Sequence, residues 1–106
     1  MIMRVWRTRI DDSRTTDYEQ FAAQESLPMF RAHAGFAGLL FGRSGDECVV
    51  VTLWADAESV AAFEASQLYQ ETVDRITAAG FIVGPSFVER FEVHGSHLPG
   101  FDPLFP

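Results

Sequence analysis

The feature that most constrains the fold is a change of hydrophobic period inside one unbroken stretch, VVVTLWADAESVAAFEASQLY, from Val49 to Tyr69. Val49, Val51 and Leu53 fall on one side of an extended chain, and Val50, Thr52 and Trp54 on the other. Apolar groups on both sides predict a strand covered on both faces. After Trp54 the period becomes helical. Asp56 suits an N-cap, Glu58 stands in the first turn, and Val60 and Phe63 share an inward stripe. A strand that runs straight into such a helix lays the helix back across its own sheet.

The flanking segments supply the other elements. From Ile2 the chain alternates, with Ile2, Arg4, Trp6, Thr8 and Ile10 on one side and Met3, Val5, Arg7 and Arg9 on the other, which predicts a strand. DDSRTT reads as a turn, and Thr16 with Glu19 forms a capping-box pattern. A helix is then expected from about Asp17 to His33, with Tyr18, Phe21, Ala22, Met29 and Phe30 at helical spacing. Pro28 predicts two helical pieces joined near ESLP. A second strand begins after Gly35, and SGDE predicts a hairpin turn with Gly45 in positive φ. Ser66 opens another helical piece carrying Tyr69, Val73 and Ile76, closed by Gly80. SFVERFEVHG alternates again. Phe87, Glu89, Phe91 and Val93 take one face, and Val88, Arg90 and Glu92 the other.

The order strand, helix, strand, strand, helix, strand is that of a ferredoxin-like α+β domain with an antiparallel sheet. Its helices cover one sheet face only. The chain has 106 residues, 47% of them apolar, with ten Phe and two Trp. A domain this small has little interior in which to hide them. The second face is therefore expected to pack against a second copy, giving a homodimer. The domain is expected to occupy residues 1–94. The tail, 95–106, keeps Leu98, Phe101, Leu104 and Phe105, which predicts docking on its own or the partner subunit.

The net charge is −7, and the eight basic residues are scattered arginines. That excludes a backbone-tracking nucleic-acid binder and attraction to an anionic membrane, though not a small basic pocket. No run reaches the length of a membrane span, and the first residues lack a signal-peptide core. With a single cysteine, Cys48, the expected location is cytoplasmic; Cys48 itself reads as a small apolar filler. His94 and His97 lack a third metal ligand, and no phosphate or dinucleotide motif is present, so no metal and no cofactor are expected.

Residues GFAGLLFGR, the hairpin, VVVTLWADAESVAAFEAS with Tyr69 after it, and VERFEV resemble the antibiotic biosynthesis monooxygenase superfamily over Met3 to Val93. The resemblance implies a dimeric α+β barrel with a pocket between sheet and helices. It also implies a choice among cofactor-independent oxygenases of electron-rich aromatics, haem-degrading enzymes and quinol- or aldehyde-handling enzymes. The haem-degrading branch carries an asparagine on the first strand and a tryptophan then a histidine on the second helix. Here there is no asparagine, and the helix positions hold Phe63 and Val73, which argues against haem.

The candidate catalytic residues are His33, Tyr69 and Arg7. His33 is either a helix C-terminal cap or an acceptor for a phenolic proton. Tyr69 and Tyr18 are helix residues able to carry a proton. Arg7 and Arg90 either pair with Glu89 and Glu92 or stabilise a developing phenolate. Trp6, Trp54, Phe63 and Arg90 are the candidate substrate-binding residues, the aromatic ones either closing the core or walling a pocket for a flat molecule. The expected function is cofactor-independent oxygenation of a small aromatic or polyphenolic substrate. Two alternatives stand beside it, a non-catalytic ligand-binding protein and a proton-transfer isomerase.

Overall fold

A computed structural model describes residues 1–100. Four strands, β1 (Ile2–Arg9), β2 (Phe36–Ser44), β3 (Glu47–Trp54) and β4 (Phe87–Glu92), form one antiparallel sheet in the order β2-β3-β1-β4. Helices α1 (Thr15–Phe21), α2 (Leu27–Arg31), α3 (Ala57–Glu64) and α4 (Gln67–Ala78) complete the ferredoxin-like unit. No helix among the described residues is long and apolar enough to cross a membrane.

The caps fall largely where local chemistry puts them. Asp56 accepts from the Ser59 backbone N–H at 2.8 Å and starts α3. Ser66 accepts from the Tyr69 N–H at 3.1 Å and starts α4. Thr16, by contrast, is not a cap. Asp11 accepts from the N–H of Ser13 at 2.9 Å, and the single 3₁₀ turn Asp12–Arg14 runs directly into α1, leaving Thr16 inside the helix. As expected, the first helical region holds two α-helical pieces, α1 and α2, that meet close to ESLP. A π-helical segment, Ala22–Ser26, joins α1 to α2, with the Leu27 N–H reaching back to the Ala22 carbonyl. The wider turn lets the chain enter α2 with Pro28 in its first turn, where a missing N–H costs least.

Two glycines are required by geometry. Gly45 has φ +59° in the two-residue β2–β3 turn. Gly35 has φ +82°, and a Cβ there would lie 2.1 Å from the Ser59 hydroxyl oxygen. The start of β2 is thereby pressed against the start of α3.

The core sits between the helices and one sheet face. One cluster holds Met29, Phe30, Val50, Trp54, Val60 and Phe63, and a second holds Ile10, Tyr18, Cys48 and Phe81; Trp6 packs against both. The register places Met3, Val5, Val51, Leu53, Phe87 and Phe91 on the opposite face. There Phe87 is 61% and Phe91 42% exposed in the single chain. In the tail, Leu98 is exposed, and Phe101, Leu104 and Phe105 lie outside the described residues.

Candidate functional site

A cavity of about 530 Å³ opens between the helix-facing side of the sheet and the helices. The sheet supplies Arg4, Trp6, Phe41, Val50 and Val88, and α2 and α4 supply Met29, Phe30, Tyr69, Val73 and Ile76. Among the described lining residues, Arg4 is the one that carries a charge. Strand alternation puts it on the same face as Trp6, and it is only 3% exposed.

A buried guanidinium persists only when its donors are met. Arg4 Nε donates to Glu64 Oε2 at 2.9 Å, and Nη2 donates to the Tyr69 hydroxyl oxygen at 3.0 Å. The guanidinium carbon lies 5.2 Å from the Phe63 ring centre and 5.4 Å from that of Tyr69, within cation–π range. Glu64 ends α3 and Tyr69 stands in the first turn of α4. The Ser66 cap fixes the break between them, so the two residues close on Arg4 from both sides of one helix junction.

Arginine only donates, so the Tyr69 oxygen is the acceptor and its own proton has no acceptor among the described residues. Arg4 Nη1 likewise makes no hydrogen bond there. Among the described residues the only enclosed side-chain polar atom without a partner is the Tyr18 hydroxyl, so Nη1 keeps some exposure, on a residue that lines the cavity. The same reasoning applies to Trp6 Nε1–H. The residues lining the cavity therefore carry hydrogen-bond donors that no described group accepts.

The candidates read from the sequence fall into three groups. Trp6 and Tyr69 line the cavity. Trp54 and Phe63 stand behind its wall at 0% exposure, ring centres 4.6 Å apart, with the Trp54 indole N–H donated to Thr52 Oγ1 at 2.8 Å. His33 also lies off the cavity: Nδ1 bonds the Met29 carbonyl at 2.8 Å and Nε2 bonds Ser66 Oγ at 2.9 Å. A carbonyl cannot donate, which puts a proton on Nδ1, and in the neutral ring Nε2 then accepts from the Ser66 hydroxyl. Both ring nitrogens are thus engaged at the helix end. Arg7 and Arg90 are half-exposed, Arg7 on the outer face beside Glu89 and Arg90 on Glu64 Oε1. Arg4 and Glu64 were not singled out from the sequence. The available signal was a charged residue alternating onto the Trp6 face.

Tyr18 also lines the cavity. Burial pushes its phenol well above the usual range, and burial likewise raises the neighbouring Cys48 thiol. Both stay protonated, consistent with a packing role for Cys48. Among the described residues no group of three His, Cys, Asp or Glu side chains could hold a metal ion.

With this geometry in hand, solved structures superpose closely. The monooxygenase ActVA-Orf6 of Streptomyces coelicolor, in complex with nanaomycin D, matches with a TM-score of 0.76 at 15% identity, over 92% of this chain and 91% of that one. SnoaB, a cofactor-independent oxygenase from Streptomyces nogalater, matches with a TM-score of 0.72 at 17% identity, over 92% and 96%. The chain shares the fold of these oxygenases. A candidate antibiotic biosynthesis monooxygenase from Caulobacter crescentus shares that fold, with a TM-score of 0.75 at 11% identity over 89% and 90%. No family model and no curated protein matches the sequence. In this chain the fold leaves a cavity between sheet and helices, and Arg4 and Tyr69 line it.

Proposed function

We propose that the protein is a cofactor-independent monooxygenase acting on a small, flat aromatic substrate. The observation that carries the reading is an apolar, aromatic-walled cavity of about 530 Å³ whose one charged lining residue, Arg4, stands beside the Tyr69 hydroxyl. Such a volume suits a small ligand, and donors aimed at one point suit an oxygen on which charge develops.

The chemistry asks little more of the chain. A phenol with an open para carbon, held as its phenolate by Arg4 and Tyr69, gives one electron to O₂. The radical pair then joins at carbon to form a hydroperoxide. Loss of water leaves a quinone, so that phenol plus O₂ yields quinone plus water. The substrate supplies every electron, and the protein supplies position, a stabilised oxyanion and exclusion of water. A proton-transfer isomerase needs a base at the cavity. No described lining residue is a carboxylate or an imidazole, which weighs against that alternative.

The same reading includes a homodimer. The exposed Phe87 and Phe91, with Met3 and Val5 on β1 and Leu53 and Val51 on β3 beyond, form a largely apolar sheet face, crossed by the Arg7–Glu89 pair, of the kind a second copy covers. Docking of the tail on the partner belongs to this part of the proposal. An oxygen electrode tests the catalytic part: chelator-treated protein should speed O₂ uptake with electron-rich phenols, and uptake no faster than in buffer across one-, two- and three-ring phenols would leave only a ligand-binding role.

A further inference from the structure

We infer that the cavity takes its ligand as an anion, and that Glu64, from outside the cavity wall, sets how strongly it does so. The inference rests on the reading of Arg4 and Tyr69 as ligand-facing, and deepens it to a ligand class: a flat aromatic molecule bearing a negatively charged oxygen, phenolate or carboxylate.

Three observations combine. First, residues that line the cavity carry donors without a partner among the described residues: Arg4 Nη1, the Tyr69 hydroxyl proton and Trp6 Nε1–H. A neutral hydroxyl accepts such hydrogen bonds without charge assistance, whereas an anionic oxygen accepts from several at once and more strongly beside a guanidinium. Second, no carboxylate or imidazole is found among the described lining residues, so no such base is placed to take the ligand's proton after it binds. The favoured entrant is already ionised.

Third, the charge on Glu64 is divided. Its Oε2 accepts from Arg4 and its Oε1 from Arg90, so two guanidinium groups share one carboxylate. One positive charge is left over. Arg90 is half-exposed and meets water, but Arg4 is 3% exposed and cannot shed its share to solvent. An anionic oxygen at Nη1 completes the neutralisation. The chain as a whole carries −7, so its long-range field repels anions. Any anion preference must come from this local arrangement.

Glu64 is therefore a positioning and charge-setting residue, and its role has a sign. The test measures binding of 2-naphthoate and 2-naphthamide, one ring system in charged and neutral form, by calorimetry at fixed ionic strength. The wild type should bind the naphthoate at least tenfold more tightly. Glu64→Gln keeps an acceptor for Arg4 Nε but removes the competing charge, and should widen the preference. Arg90→Gln leaves Glu64 wholly to Arg4, and should narrow it. A Glu64 that only held the fold together would weaken both ligands alike. Should Glu64→Gln not fold, Arg90→Gln, on an exposed edge strand, still carries the test of sign. Equal binding of the two probes, or both variants moving the preference in one direction, overturns the inference while leaving the cavity reading in place. Binding of neither probe overturns both.

Discussion

Arg4 on the first strand and Tyr69 on the last helix meet at 3.0 Å, the arginine donating and the tyrosine accepting. The direction of that bond decides what the tyrosine can offer, since its proton is left for a ligand. Tyr69→Phe should keep the ring that packs on Phe63, at 4.4 Å between centres, and lose only the hydroxyl. Affinity for 2-naphthoate should fall roughly tenfold, the effect of about 1.4 kcal/mol expected for one charge-assisted hydrogen bond. Calorimetry on the variant checks this, and undiminished affinity would place the ligand elsewhere.

The two tryptophans should separate cleanly. Trp54 is fully buried and its indole N–H is satisfied by Thr52, so Trp54→Ala should cost about 3–5 kcal/mol of stability. Thr52→Val orphans the indole N–H and should cost about 1–3 kcal/mol. Trp6 faces the cavity. With Trp54→Phe, so that Trp6 is the sole tryptophan, an aromatic ligand should quench the fluorescence strongly. In Trp6→Phe the remaining emission should hardly change.

How much of this was legible in the sequence follows from the range of each interaction. Asp56 and Ser66 cap helices that start within three residues of them, and Gly45 turns a hairpin on itself, so local pattern suffices. His33 met its own helix carbonyl four residues back, which favoured the capping reading of that histidine. The π-helical segment escaped notice because Pro28 announces a break without saying how the backbone accommodates it. Arg4 escaped because its partners, Glu64 and Tyr69, lie 60 and 65 residues away. Alternation reveals the face on which an arginine sits. It does not reveal whether a carboxylate from the far half of the chain arrives there, and so whether the charge is buried.

The Asp56 cap carries a pH dependence of known sign. Backbone and side-chain hydrogen bonds from Ser59 hold its carboxyl below the usual carboxylate range. The folded pKa lies below the unfolded one. Its contribution is therefore complete above the unfolded value and is lost as pH falls through the folded one. Asp56→Ala should lower the melting temperature by several degrees at neutral pH. The gap from wild type should shrink as the pH drops below about 4. Thermal melts followed by circular dichroism from pH 7 to pH 2 check it, and a gap that stays constant would assign the loss to something other than the charged cap.

The outer sheet face makes a prediction about assembly. Light scattering behind size exclusion should return twice the chain mass at micromolar concentration. Leu53→Arg, set among the apolar groups of that face, should give a folded monomer. A monomeric wild type would mean that the exposed Phe87 and Phe91 serve some other purpose.

The most direct test of the central claim is the source of the oxygen in the product. Under ¹⁸O₂, with chelator present and an electron-rich phenol as substrate, the quinone formed should carry one ¹⁸O atom, and Arg4→Met should abolish its formation. Quinone carrying no label, or formed equally fast by Arg4→Met, would contradict the account.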